Sequence, residues 1–186
     1  MDYLLHIEST STVCSVAISK DAELLALKEM NNGYTHAENM HVFIEQLLQE
    51  TSLSTKNLSA ISISSGPGSY TGLRIGFSAA KGLAYALQIP LITIDTLKVL
   101  SYKSIQLKNN DALFCPMMDA RRMEVYCAVY NNQLQEQIPL QALVLDNESI
   151  LKFNLNKDIY FFGDGMSKAK ELLQNIPNAY FIDNIV

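Results

Sequence analysis

The chain has 186 residues, a formal net charge of −5 and 18% charged residues, a composition typical of a globular protein with one large or two small domains. Because it is acidic and has no run of lysine or arginine, it lacks the basic face that an autonomous nucleic-acid-binding protein needs. No apolar stretch is long enough to cross a membrane, and the N-terminus lacks the basic segment of a signal peptide, which favours a cytoplasmic protein. Three isolated cysteines in strand-like segments are expected to be reduced and buried.

The first half of the chain alternates strand and helix patterns, with period two for strands and period 3.6 for helices. A capping box formed by Thr35 and Glu38 predicts the start of the first helix. The predicted elements, in chain order, are strands at residues 3–7, 13–19 and 22–30, a helix at 35–51, a strand at 60–64, a helix at 71–87, a strand at 91–94 and a helix from 96 to about 107.

The second half begins as the first did, with a predicted hairpin. The predicted elements are strands at residues 113–118, 123–130, 141–145 and 158–162 and a helix at 166–175. Superposing the two hairpins aligns Glu8 with Asp119 and Cys14 with Val125, which indicates a duplicated unit. The pattern therefore predicts an α/β protein of two lobes, residues 1–107 and 108–186.

A glycine-rich turn between the strand at 60–64 and the next helix is the most informative segment. Its structural residues are Gly66, Pro67, Gly68, Thr71 and Gly72. A strand, a glycine turn and a helix N-terminus together favour phosphate binding. A Walker-type loop would require lysine after Gly72, and a dinucleotide loop would require glycine at Thr71. The segment has the geometry of a phosphate loop without the chemistry of either motif.

Two carboxylates end the first strands of the two hairpins. Glu8 and Asp119 could hold a metal-nucleotide, with Ser9 and Thr10 beside Glu8 as the other candidates of a degenerate nucleotide cleft. The alternative is that each carboxylate accepts hydrogen bonds from its own turn. Carboxylates that bind Mg-phosphate normally lie beside glycines, and the turn after Glu8 has none. The second interpretation is therefore favoured, and no cofactor is expected.

Metal and triad chemistry find little support in the sequence. His36 and His41 are five residues apart, which turns the second ring by roughly 140° on a helix of about 3.6 residues per turn. Helical zinc ligands are three or four residues apart, so no metal site is expected. His6 has no partner that the sequence reveals, and no Gly-x-Ser-x-Gly motif is present.

The helix after the glycine turn is apolar around most of its circumference, so more than its own sheet has to cover it. Either the monomer's core or a second protein could do so. The predicted partner or dimer interface consists of Met40, Phe43, Ile44, Leu47, Ile75, Gly76, Phe77 and Leu83.

These motifs resemble the TsaB (YeaZ) family. The segments that carry the resemblance are Ile7-Glu8-Ser9-Thr10, Cys14-Ser15-Val16-Ala17, His36, residues 65–76, Lys81-Gly82-Leu83-Ala84, Met118 to Arg122 and Glu124-Val125-Tyr126. The resemblance implies two ribonuclease-H-like lobes of the actin/Hsp70/sugar-kinase type, the second abbreviated. Family members carry glycine at the position of Met123 and continue past Val186 into a helix that returns to the first lobe. Without that helix, some apolar surface of the first lobe is expected to be uncovered.

The resemblance also implies a function, that of a non-catalytic subunit. Family members pair with the enzyme TsaD and the ATPase TsaE, which transfer threonylcarbamoyl from its adenylate, made by TsaC, to N6 of adenosine 37 in tRNA. A homodimer is expected in isolation, with tRNA contacted only indirectly through the complex. TsaD-like enzymes hold a metal with His-x3-His, a spacing that His36 and His41 exceed by one. The alternatives are a glycoprotease-like hydrolase and a nucleotide-binding small-molecule kinase.

Overall fold

The structure, a computed structural model, describes residues 2–31, 36–108, 111–183 and 185. It divides into two compact units, Met1–Asp95 and Thr96–Val186. The predicted capping box at Thr35 lies outside the described residues.

The first unit is a five-stranded sheet with two long helices. Its elements are β1 (Tyr3–Glu8), β2 (Cys14–Lys20), β3 (Glu23–Met30), α1 (His36–Glu50), β4 (Leu58–Ser64), α2 (Tyr70–Leu87) and β5 (Leu91–Ile94). The strand order is β3-β2-β1-β4-β5, in which β1, β2 and β3 are antiparallel neighbours and β4 and β5 run parallel to β1. Short turns connect the three antiparallel strands, whereas the chain reaches each parallel strand through a helix.

Both helices of the first unit cover the same face of the sheet. Alternate residues of β1, β2 and β4 pack with the apolar stripes of α1 and α2 in one core. Its fully buried members include Leu5, Ile18, Met40, Leu47, Ile61 and Ile63. The opposite face leaves Leu25, Leu27, Ile92 and Ile94 between 41% and 46% exposed.

The second unit repeats this arrangement. Its elements are α3 (Thr96–Lys108), β6 (Leu113–Asp119), β7 (Glu124–Tyr130), β8 (Glu136–Val144), β9 (Ile159–Phe162), α4 (Met166–Leu173) and β10 (Ala179–Phe181). The order β10-β9-β6-β7-β8 has the same pattern of parallel and antiparallel neighbours as the first sheet. Where the first unit has the long helix α1, the second has only a short 3-10 turn, Ser149–Phe153.

The structural division falls at Asp95, before the predicted boundary at residue 107. Helix α3 belongs to the second unit because it packs on β6 and β7, with Leu97 and Ile105 buried against that sheet. Strand β8 begins five residues earlier than predicted, and the short edge strand β10 was not predicted. Both lie at sheet edges, where half-exposed residues weaken the alternating apolar pattern.

The alignment of the two hairpins is correct for β2 and β7 but wrong for the carboxylates. Val16 and Cys127 both face the helix-covered cores, which supports the offset that aligns Cys14 with Val125. Glu8 pairs with Ser15, on the face away from α1 and α2. Asp119 instead pairs with Val125, on the face covered by α4. Side chains alternate between the two faces of a strand, so a shift of one residue in the pairing register places the two carboxylates on unlike faces of their own sheets.

The predicted burial of the cysteines is confirmed. Cys14, Cys115 and Cys127 are all buried and form no disulfide. Burial raises the pKa of the Cys115 thiol, whereas the hydrogen bond from Cys115 lowers the pKa of Cys127.

Candidate functional site

The glycine-rich turn is filled by the chain itself. The Ser69 amide donates to the Thr10 carbonyl at 2.6 Å, and a Cβ at Gly68 would lie 2.5 Å from Thr10 Cβ. A Cβ at Gly72 would overlap the carbonyl oxygen of Ser9, also in the β1–β2 turn. The glycines therefore permit close packing of α2 on the β1–β2 turn.

The packing continues one helical turn further along α2. A Cβ at Gly76 would overlap Ser9 Oγ, which is fully buried and has no hydrogen-bond partner among the described residues. Ser69 caps the helix, since its Oγ accepts a 3.2 Å hydrogen bond from the Gly72 amide. The N-terminus of α2 thus carries a protein cap of its own.

The Glu8 carboxylate accepts three hydrogen bonds from residues around it. Its Oε1 accepts hydrogen bonds from the Thr10 amide at 2.6 Å and from Thr10 Oγ1 at 2.5 Å. Its Oε2 accepts a hydrogen bond from Ser64 Oγ. This geometry matches the interpretation in which Glu8 serves its own turn, because no oxygen points away from these donors.

Asp119 is held in a comparable way in the second unit. Its Oδ1 accepts hydrogen bonds from the Arg121 amide at 2.5 Å and from Lys168 Nζ at 2.7 Å. The Lys168 ammonium is the main cause that lowers the pKa of the Asp119 carboxyl. A Cβ at Gly165 would lie 2.8 Å from the Met118 carbonyl carbon, so the turn before α4 packs on the end of β6 much as the glycine-rich turn packs on the end of β1.

His6 has two partners that the sequence did not reveal. On the face of the first sheet away from α1 and α2, its Nδ1 lies 2.6 Å from Ser62 Oγ and its Nε2 lies 2.7 Å from Ser19 Oγ. Both serines are buried, and burial lowers the pKa of the imidazole. Only the cross-strand register brings these three side chains together, so no local motif could have shown them.

His6 is expected to make the stability of the fold depend on pH. Since burial lowers its folded-state pKa below the ordinary value of 6.5, the unfolded chain binds more protons between the two pKa values, and the free energy of unfolding rises with pH there. The contribution of His6 is complete above pH 6.5 and is lost as the pH falls through the folded-state pKa. Urea unfolding from pH 5 to pH 8 should show this slope, and the His6→Asn variant should show a flatter one. Equal slopes for the two proteins would contradict the assignment.

A groove of about 590 Å³ runs between α1 and α2 on the surface of the first unit. Its lining residues are His41, Arg74, Ile75, Ser78, Ala79, Gly82 and Leu83. Arg74 lies over the exposed Tyr70 ring, 3.9 Å from its centroid. A Cβ at Gly82 would meet no atom of the described residues within 4 Å, so no packing among those residues requires a glycine there. The groove offers a small-residue floor with Arg74 and His41 at its sides.

The predicted interface residues divide into two groups. Ile75 and Leu83 line the groove, and Phe77 is half-buried with Lys81 Nζ 5.5 Å from its ring centroid. The others are 7% exposed or less and lie inside the first unit. They are Met40, Phe43, Ile44, Leu47 and Gly76. The apolar stripe of α1 packs on its own sheet, in the core of the first unit.

The described residues contain no group of three or more histidine, cysteine, aspartate or glutamate side chains placed to hold a metal ion. The prediction that His36 and His41 are too far apart on the helix to share a metal stays a prediction, because the His36 side chain lies outside the described part. None of the helices within the described ranges is long and apolar enough to cross a membrane.

Comparison with known proteins agrees with this fold. Residues 32–180 match the family model described as TsaD, tRNA N6-adenosine threonylcarbamoyltransferase. The tRNA threonylcarbamoyladenosine biosynthesis protein TsaB of Bacillus subtilis is 27% identical over 93% of this chain and 76% of its own length. The TsaB of Buchnera aphidicola from Schizaphis graminum is 30% identical over 91% of this chain and 81% of its own length. That of Escherichia coli is 32% identical over 68% of this chain and 54% of its own length.

Solved structures show the same relationship. YeaZ from Pseudomonas aeruginosa superposes with a TM-score of 0.85 at 23% identity, covering 100% of this chain and 86% of the other. A ROK family protein from Streptococcus pneumoniae shares the fold alone, with a TM-score of 0.51 at 11% identity over 98% of this chain and 93% of its own. The lobes are thus of the actin/Hsp70/sugar-kinase type, as predicted. The chain belongs to the TsaB (YeaZ) family.

Proposed function

We propose that this chain is a non-catalytic subunit that binds a TsaD-type enzyme and supports the transfer of threonylcarbamoyl to N6 of adenosine 37 in tRNA. The filled glycine-rich turn carries the proposal. In a fold shared with sugar kinases, that turn and the carboxylate at the end of β1 lie where phosphate chemistry would be expected. Here Ser9 and Thr10 pack closely against the glycines of the turn, and Thr10 donates two hydrogen bonds to the Glu8 carboxylate. The turn and the carboxylate therefore make contacts with each other's surroundings inside the chain, which supports a role without phosphate chemistry.

The groove between α1 and α2 is the proposed docking surface for the TsaD-type subunit. Ser78 and Gly82 are four residues apart, so they lie on one face of α2 and let a partner backbone approach closely. Glycine in a helix costs about 0.5–1 kcal/mol relative to alanine, and no contact with the part of the chain that the structure describes explains this cost at Gly82. A partner helix in the groove would explain it. We propose that a second copy of the chain uses the same groove in isolation, and that the TsaD-type subunit displaces it.

The hydrolase alternative has one point in its favour. A Pseudomonas aeruginosa protein with a TM-score of 0.81 is described as similar to peptidase YeaZ, and Ser62 Oγ lies within hydrogen-bonding distance of His6 Nδ1. In a serine hydrolase a carboxylate orients the other ring nitrogen, whereas His6 Nε2 faces the Ser19 hydroxyl. Ser62 is also only 5% exposed. The pair is better explained as a structural link between strands.

The test is reconstitution. The chain, with TsaD-type, TsaE-type and TsaC-type proteins of the same organism, should yield modified tRNA by mass spectrometry, and omission of the chain should abolish the product. The chain alone is expected to hydrolyse neither ATP nor peptides. Glu8→Gln and Asp119→Asn should leave the reconstituted reaction intact wherever the variants fold. ATP turnover by the purified chain that disappears in either variant would instead support the kinase-like alternative.

A further inference from the structure

The turn between β6 and β7 carries two arginines in an unfavourable backbone conformation. Arg121 has a φ of 68° and Arg122 has a φ of 46°. This left-handed region suits glycine, asparagine and aspartate and disfavours side chains such as arginine. Met123, at the position where the family usually has glycine, has no positive φ. The strained positions are therefore the two arginines themselves.

The strained turn is held in place by one lysine. Lys168 Nζ donates to the Arg122 carbonyl at 2.9 Å and to Asp119 Oδ1 at 2.7 Å, and the Arg121 carbonyl lies at 3.5 Å. The Arg121 amide donates to the same Asp119 oxygen. An ammonium with several acceptors on one turn fixes the direction of the backbone. The arginine side chains therefore extend from a rigid base.

Nothing within the described ranges uses the two guanidinium groups. Both arginines are exposed, and neither forms an ion pair with a described carboxylate. The nearby carboxylates are engaged elsewhere, since Asp119 is paired with Lys168 and Asp164 Oδ1 accepts the Asp119 amide at 2.9 Å. A strained turn that presents two side chains without a contact among the described residues points to an external partner for those side chains.

We propose that Arg121 and Arg122 bind phosphate groups of tRNA when the chain is in its complex. The inference rests on the proposed function, which supplies an RNA substrate. Guanidinium groups match phosphate oxygens with paired hydrogen bonds and keep their charge at every relevant pH. With a net charge of −5 the chain alone has no long-range attraction for RNA, so the contact acts only after other subunits have bound the tRNA. The proposed contact is direct, in contrast to the indirect contact that the family resemblance implies.

The test is the salt dependence of tRNA binding by the reconstituted complex. Arg121→Asn/Arg122→Asn removes both charges and suits the left-handed backbone, so the melting temperature should not fall. Affinity for tRNA should fall about tenfold, and the slope of log K against log [KCl] should lessen by about 1.5, since each phosphate contact contributes about 0.7–0.9. Arg121→Lys/Arg122→Lys should retain most of the slope.

The matched control is Lys56→Gln/Lys103→Gln, which removes two exposed charges elsewhere and should leave tRNA affinity unchanged. An unchanged slope in the asparagine variant, or an equal loss in the control, would overturn the inference. Failure of the asparagine variant to bind the TsaD-type subunit without RNA would show that the arginines contact an acidic protein surface instead, and would also overturn it. If the wild-type complex binds tRNA with the expected slope but forms no product, the proposed function fails and this contact stands.

Discussion

Replacing Gly72 with alanine is expected to lower the free energy of unfolding by about 3 kcal/mol. The new methyl group would overlap the Ser9 carbonyl oxygen, and a backbone atom in a buried turn can move only if α2 or the β1–β2 turn shifts. Overpacking of this kind costs about 1–3 kcal/mol, with larger values where the neighbour is rigid. Urea unfolding of the isolated chain at a fixed pH measures the effect.

Gly82→Ala is the matched control, because it is the same substitution on the same helix. A Cβ there meets no described atom within 4 Å, so alanine should raise the free energy of unfolding by about 0.5–1 kcal/mol through its better helix propensity. If the two variants were equally stable, the glycine-rich turn would not be packed on Ser9 and Thr10 as described, and the argument against a phosphate site would lose its basis.

Replacing Gly82 with phenylalanine is expected to weaken binding of the TsaD-type subunit at least 100-fold. The side chain fits the isolated chain, since the position is open, but it fills the floor of the groove where a partner helix would lie. An overpacking cost of about 3 kcal/mol corresponds to roughly a hundredfold change in affinity. Calorimetry with the purified partner measures this loss, and light scattering should show the homodimer dissociating as well.

Lys103→Phe provides the comparison for that variant. It places the same ring on an exposed position of α3, outside the groove, and should leave binding intact. Circular dichroism should show both variants folded. A Gly82→Phe protein that binds its partner with wild-type affinity would remove the groove from the proposed function. Phe43→Glu cannot serve this purpose, because Phe43 is 7% exposed and a buried charge there would unfold the chain.

The local patterns of the sequence were sufficient for the α/β class and for the order of the α-helices and strands, apart from the edge strand β10. Strand and helix periods depend on neighbouring residues, so the hairpins, α1, α2 and the strand before the glycine-rich turn could be predicted from sequence alone. The glycine-rich turn also showed that neither standard phosphate motif was present, because lysine does not follow Gly72 and Thr71 stands where a dinucleotide loop has glycine. The resemblance carried by that turn led to the family that the comparisons then confirmed.

Tertiary structure decided which partner each of these features has. The apolar stripe of α1 showed that one face is covered, but only the fold showed that Phe43 and Leu47 pack on their own sheet and that Gly82 lies open. A one-residue difference of register put Glu8 and Asp119 on unlike faces. His6 met Ser19 and Ser62 only through strand pairing. Each of these contacts joins residues distant in sequence, and a periodic pattern specifies a face without specifying what lies against it.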